Sequence, residues 1–163
     1  ADDVLPVAVK RLAECVAELQ ADNNIVILRP ETMGKAALLG SLEDTLVLSA
    51  EIPQIAPCID FAHLHARAGD GSVNSYDEFS ALLDQVGDRL GAAALSQLHI
   101  HLSGIEYSAK GEKNHLPMRE SDFDVTGLFR ALKSHAAGGR ILCESPIMEE
   151  DALFFKELWE GMG

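Results

Sequence analysis

Apolar residues fall into two kinds of segment along this chain, short unbroken runs and longer stretches with helical spacing. Four runs are short and apolar almost throughout, which is typical of parallel strands buried on both faces. These runs lie at residues 25–28, 55–60, 97–102 and 140–143. Apolar positions three and four residues apart predict helices at residues 4–20, 41–49, 76–90, 124–135 and 149–159. Strand and helix therefore alternate four times, an order that predicts an α/β fold with a parallel sheet.

The segment after the third predicted strand is long and polar. It extends from residue 103 to about residue 120, and we predict a loop there that acts as a lid or contacts the substrate. No low-complexity tract or interior linker interrupts the alternation of strands and helices. We therefore expect residues 1–163 to form a single domain.

The chain is acidic, and this limits the classes of partner. It has 13 Lys and Arg residues against 26 Asp and Glu, a formal net charge of −13, which does not suggest a general nucleic-acid binder. Carboxylates clustered on a metal would account for part of this charge. No apolar run approaches the roughly 20 residues of a membrane span, so we expect no membrane contact. Three widely spaced cysteines, an odd number, favour reduced thiols and a cytoplasmic location.

Residues of metal-binding type stand at the end of every predicted strand. They are Glu31, Asp60, His101 and Glu144. Because parallel strands bring their carboxyl ends to one edge of the sheet, we predict that these four side chains bind one metal ion together. Three carboxylates and one imidazole suit Zn²⁺, Mn²⁺ or Co²⁺ and do not select one of these metals. His99, which lies one alternation deeper than His101 on the same face, is interpreted as a core histidine.

Two further histidines extend this pattern. His63 follows Asp60 by three residues, and His115 lies in the long polar segment. His115 either joins His63 on a second metal ion or is a solvated loop histidine. The residues alone leave both interpretations open.

Four motifs together resemble the endonuclease IV family, in its archaeal-type branch, within the larger group of xylose-isomerase-like barrels. The motifs are Arg29-Pro30-Glu31-Thr32, Cys58-Ile59-Asp60-Phe61-Ala62-His63, His99-Ile100-His101-Leu102-Ser103-Gly104 and Cys143-Glu144-Ser145-Pro146. The resemblance covers almost the whole chain from residue 25 onward. It implies a parallel eight-stranded (β/α) barrel of the TIM type, of which this chain would hold the last four β/α units.

The resemblance also implies a function, the hydrolysis of DNA at abasic sites by a repair endonuclease with three zinc ions. The zinc ligands that it implies are Glu31, Asp60, His63, His101, His115 and Glu144. Glu31 would bridge two of the ions, while His63 and His115 would hold the third. Glu31 and Glu144 are the residues that we expect to be catalytic.

The chain departs from the family pattern at the third zinc. The family has an Asp two residues before the histidine of the third loop, where this chain has Lys113 before His115. Asn114 or Glu112 are the candidates to replace that Asp. Lys113 and Asn114 are also the expected contacts to the substrate.

A full barrel takes roughly 250 residues, so four units are half of one. Half a barrel would leave two unpaired edge strands and one uncovered sheet face. We therefore expect either an N-terminal half-barrel segment that is missing from this chain or self-association of two copies.

Two other functions fit the same residues. A sugar isomerase or epimerase of the same superfamily would use a single Mn²⁺ or Co²⁺ on the four strand-end residues. Glu31 and Glu144 would then move the proton, and His63 and His115 would contact the sugar. The third possibility is an inactive barrel fragment that keeps the fold without the activity.

Overall fold

The computed structural model of the protein describes residues 4–163. Its elements, in chain order, are α1 (Val4–Ala21), α2 (Leu42–Glu51), β1 (Cys58–Asp60), α3 (Phe61–Arg67), α4 (Tyr76–Leu90), α5 (Ala92–Leu95), β2 (Leu98–Leu102), β3 (Gly104–Ser108), β4 (Gly111–Leu116), a 3₁₀ turn (Met118–Glu120), α6 (Val125–Ser134), β5 (Gly139–Cys143) and α7 (Met148–Gly161). Helix α2 begins with the predicted capping box, in which Ser41 and Asp44 each accept a hydrogen bond from the other's backbone N–H.

The predicted parallel sheet is present, with strand order β1-β2-β5. Asp60 lies beside His101 in the register of β1 and β2, and His101 lies beside Leu142 in that of β2 and β5. The predicted strand at 25–28 does not form a continuous strand of this sheet. Between residues 28 and 31 the chain makes only isolated parallel bridges, Leu28 with Ile55 and Glu31 with Cys58. This segment is the outer edge of the sheet and has a neighbour on one side only. The parallel α/β class is thus confirmed, as an open sheet over the described residues.

The prediction of a loop at 103–120 is wrong. Residues in this segment form the antiparallel hairpin β3–β4. Ile105 on β3 is buried against Ala62 and Ala66 of α3, which gives the hairpin an apolar face of its own. Its polar residues lie mainly on the other face. Because they are so many, the sequence does not show the alternation of apolar and polar positions that predicts a strand.

The helices cover one face of the sheet. Ile59 and Ile100 point into a core shared with Phe61, Phe79 and Phe129 of the surrounding helices. Burying each of these side chains contributes roughly 1.5–3 kcal/mol. Because side chains alternate along a strand, the residues between these apolar positions point to the opposite face, and that face carries the polar groups. None of the helices between residues 4 and 163 is long and apolar enough to cross a membrane.

Candidate metal centre

The four strand-end residues converge at one edge of the sheet. Each of Glu31, Asp60, His101 and Glu144 offers a ligand atom within 4.8 Å of those of the other three. Nδ1 of His101 lies 3.1 Å from Oε1 of Glu31 and 3.0 Å from Oε1 of Glu144. The structure therefore brings together the residues that the strand ends predicted, in an arrangement that could hold a divalent cation.

Asp60 is fully buried, and one of its carboxylate oxygens has no partner. Oδ1 caps helix α3 by accepting from the His63 backbone N–H at 2.7 Å, whereas Oδ2 has no hydrogen-bond partner. Burial raises the pKa of the Asp60 carboxyl to about 6. A buried carboxylate oxygen without a partner is costly. A cation among the four ligand atoms would supply the missing partner, so Asp60 fits a bound metal.

Thr32 positions both Asp60 and His63, and sequence reasoning did not include it in the site. Its buried hydroxyl accepts from the Asp60 backbone N–H at 2.8 Å and donates to the Asp60 carbonyl at 3.1 Å. Its own carbonyl accepts from Nδ1 of His63 at 2.9 Å. The signal available in the sequence was its position directly after Glu31, within one of the four motifs.

His63 and His115 form a second group beside the first. Nδ1 of His63 donates to the Thr32 carbonyl, and Nδ1 of His115 donates to the Glu144 carbonyl at 3.0 Å. These carbonyls can only accept, so the protons are on Nδ1 and both Nε2 atoms face each other, at 3.3 Å. Two neutral imidazoles would repel through these lone pairs, unless a proton or a metal ion lies between them.

The charge around His63 favours a cation at this position. Burial alone would lower the pKa of His63, but the carboxylate of Asp60, the carbonyl of Thr32 and the carboxylate of Glu112 raise it. Glu112 comes closest to the outer ring nitrogen, with Oε1 3.7 Å from Nε2 of His63. A positive charge between His63 and His115 would therefore be surrounded by negative groups.

A β-bulge brings Glu112 to this position. Glu106 pairs with Asn114 and Tyr107 pairs with Glu112, so Lys113 lies opposite no residue. The Nζ of Lys113 instead donates to Glu106 at 2.8 Å, on the exposed side of the hairpin. Lys113 and Asn114 are both exposed and are not among the groups that converge at the strand ends. Of the two suggested replacements for the family's Asp, it is Glu112 that lies near His63.

A third group lies one layer deeper and is poorly suited to a metal. It comprises Cys58, His99 and His101. Burial raises the pKa of the Cys58 thiol to about 12, and the negative charge of Glu31 contributes to this rise. The sulfur therefore keeps its proton at neutral pH. Burial lowers the pKa of His99, and the positive charge of Arg29 lowers it further. The ring of His99 lies 5.3 Å from that of His101, but His99 is only half-buried and lies on the polar face of the sheet, so its interpretation as a core histidine is wrong.

Comparisons with known proteins identify the fold family. The model of the xylose isomerase-like TIM barrel family matches residues 1–158. The chain is 44% identical over 145 residues to an uncharacterized protein of Methanocaldococcus jannaschii, a match covering 89% of this chain and 52% of the relative. The crystal structure of AsfvAP:AG superimposes with a TM-score of 0.56 at 19% identity, covering 82% of this chain and 53% of that chain. The chain thus spans about half the length of these relatives. It belongs to the xylose isomerase-like TIM barrel family.

Proposed function

We propose that this protein is a zinc-dependent hydrolase of DNA repair that cleaves the DNA backbone at abasic sites, as the resemblance to the endonuclease IV family implies. The observation that carries the proposal is the pair of imidazole nitrogens, Nε2 of His63 and Nε2 of His115, that face each other 3.3 Å apart. This pair provides a second metal position next to the quartet. Phosphodiester cleavage uses such neighbouring metals, whereas a single-metal isomerase needs the quartet alone.

Two residues join the quartet and the histidine pair. Oε1 of Glu31 lies 3.1 Å from Nδ1 of His101 and 3.5 Å from Nδ1 of His63, between the two groups. The side chain of Glu144 contacts His101, and its carbonyl holds His115 in the required tautomer. The side chain of Glu31 therefore lies beside both groups, and Glu144 sets the geometry of both positions; a bridging role for Glu31 is what the resemblance implies.

Bound zinc ions would supply Lewis acidity, which activates water near neutral pH and neutralises charge on the phosphate. The protein's own contribution is to orient the ligands. Asp60, His63 and His115 each have a backbone partner that fixes the direction of the side chain. The carboxylates of Glu31, Asp60 and Glu144 would be offset by the bound cations, but they are only three of the chain's 26 acidic residues. The three free thiols support a cytoplasmic location.

Metal content tests this proposal independently of the activity. After equilibration with zinc, we expect at least two ions per chain by elemental analysis. His115→Ala should remove one ion and leave the quartet's ion bound. His135→Ala is the matched control, because His135 pairs with Asp84 on the outer surface, and it should keep the wild-type stoichiometry.

Activity is measured as nicking of a duplex oligonucleotide with one abasic site, against the same duplex without it. The proposal predicts nicking at the abasic position only, and its loss on Glu31→Gln. One ion per chain, unchanged by His115→Ala, together with ketose epimerisation and no nicking, would instead establish the single-metal isomerase.

A further inference from the structure

A hydrogen-bonded network of three side chains joins helix α3 to the hairpin. We define it as His65, Asp122 and Tyr107. Oη of Tyr107 donates to Oδ2 of Asp122 at 2.7 Å, and Nε2 of His65 lies 3.1 Å from Oδ1 of the same carboxylate. Nδ1 of His65 donates to the carbonyl of Ser72 at 2.7 Å, so both of its ring nitrogens have a partner. The three residues lie outside both groups of candidate metal ligands.

The network is tightly built. His65 is fully buried, and its ring packs edge-on against that of Tyr107, with centroids 4.9 Å apart. The hydrogen bond to Asp122 raises the pKa of Tyr107 to about 12. Burial alone would raise the pKa of Asp122, but the hydrogen bonds from Tyr107 and His65 lower it. The ionised carboxylate of Asp122 therefore connects a strand of the hairpin to helix α3.

Tyr107 lies on the face of the hairpin that points to the candidate metal centre. In the register of β3 and β4, Tyr107 lies opposite Glu112, and Ile105 lies opposite His115. Side chains opposite each other in an antiparallel pair point to the same face. Ile105 and Tyr107 both pack against α3, so this face also carries Glu112 and His115 towards α3. The hydroxyl of Tyr107 thus anchors the strand with which both of these residues are paired.

The two elements that the network joins each contribute one imidazole of the histidine pair. His63 precedes His65 by two residues on α3, and His115 lies on β4. A two-stranded hairpin is marginally stable by itself, and the apolar contact of Ile105 with α3 is made to two alanines. Metal ligands must be held to within about 0.5 Å. The position of the hairpin therefore depends on its polar anchors.

We propose that His65, Asp122 and Tyr107 are positioning residues that fix the spacing of Nε2 of His63 and Nε2 of His115, and through it the affinity of the second metal position. The effect on metal affinity rests on the proposed function, whereas the effect on the spacing is a property of the metal-free chain. The network contacts neither metal nor substrate. It holds α3 and the hairpin in one arrangement, so that the two ligands are in place before an ion binds.

Tyr107→Phe tests the network because it removes one oxygen and keeps the ring. The affinity for the second zinc ion should fall at least about fivefold, while that for the first stays within about twofold of wild type. Competition with a chromophoric chelator measures both affinities. Tyr76→Phe is the matched control, since it makes the same change at the chain's other tyrosine, whose hydroxyl donates to Ser134. This variant should keep both affinities.

Two variants of Asp122 separate its hydrogen bonds from its charge. In Asp122→Asn, the amide oxygen can accept from Tyr107 and the amide nitrogen can donate to Nε2 of His65, so this variant should stay within about twofold of wild type. Asp122→Leu has neither group and should weaken the second ion as Tyr107→Phe does. The Asp122 side chain is 57% exposed, so circular dichroism should show both variants folded.

NMR of the histidine-labelled, metal-free chain measures the spacing directly. The rings of His63 and His115 lie 5.4 Å apart, so wild type and Tyr76→Phe should show a nuclear Overhauser effect between them. Tyr107→Phe should weaken or abolish this signal. Only one zinc ion on the wild-type chain would overturn the proposed function and the effect on affinity, while the NMR result would still decide the effect on spacing.

Four results would overturn the positioning role. The first is an unchanged signal between the two rings in Tyr107→Phe, and the second is a wild-type affinity of this variant for the second of two ions. The third is an equal loss of both ions, which would mark general destabilisation. The fourth is an effect of Asp122→Asn as large as that of Asp122→Leu, which would assign the effect to charge.

Discussion

Replacing Asp60 with asparagine should stabilise the metal-free protein near neutral pH, even though Asp60 is the N-cap of helix α3. Asparagine is as good an N-cap as aspartate, so its side-chain oxygen keeps the hydrogen bond to the His63 N–H. The substitution replaces the orphaned Oδ2 with an amide nitrogen beside the carboxylate of Glu31. The variant therefore removes a buried charge and leaves the cap in place.

The size of this gain follows from the pKa of Asp60. Burial raises it from 3.8 to about 6, and a difference of about two units corresponds to about 3 kcal/mol. The folded state holds this proton more tightly than the unfolded state does, so wild-type stability falls as the pH rises from 3.8 to about 6. Asp60→Asn lacks this dependence. Its advantage should be about 3 kcal/mol above pH 7 and should disappear below pH 4.

Urea unfolding of the chelator-treated protein at pH 4.5, 6.0 and 7.5 measures this difference. Asp124→Asn is the matched control, because Asp124 caps α6 through the Gly127 N–H at 2.8 Å, and the change should alter stability by less than about 1 kcal/mol at every pH. Zinc should then reverse the order at pH 7.5, because it stabilises only the chain that binds it. If metal-free Asp60→Asn were less stable than wild type at pH 7.5, the ionised carboxylate would be well satisfied without a metal, and the reasoning would be refuted.

Three further predictions concern the hairpin and a helix cap. Lys113→Ala should leave zinc content unchanged and alter the free energy of unfolding by less than about 1 kcal/mol, because the pair with Glu106 is exposed. Gly111→Ala should lower that free energy by about 1–3 kcal/mol in urea, because φ is +93° and a Cβ would meet the carbonyl oxygen of Gly34. Ser41→Ala should cost about 1 kcal/mol, seen as a lower Tm, because the hydroxyl caps α2.

The ends of the parallel strands could be predicted from the sequence because the rule behind them is local. A polar residue that follows a buried run lies at the carboxyl edge of the sheet, whichever strands become neighbours. Glu31 obeys this rule even though the chain before it forms only isolated bridges. The same rule places Asp60, His101 and Glu144.

The hairpin could not be predicted, because its determinants are not local. Ile105 is buried only because helix α3 presents Ala62 and Ala66 to it. The position of Glu112 depends on a bulge at Lys113, and a single extra residue reverses which side chains face the site. Counting two residues back from His115 reaches Lys113, which is the residue that the bulge turns away.

The hairpin forms one wall of the site and is packed against neighbouring loops at its turn. The Glu112 N–H donates to the carbonyl of Gly34 at 2.9 Å, and a Cβ on Gly34 would lie 2.6 Å from that of Glu112, so only glycine permits this contact. At the turn, Gly69 packs equally closely against Ala109. The turn and the start of β4 are thus packed against the loops that follow Glu31 and α3, and in this arrangement Nε2 of His115 already lies 3.3 Å from Nε2 of His63. A site preorganised in this way holds its ligands in place before a metal or a substrate arrives.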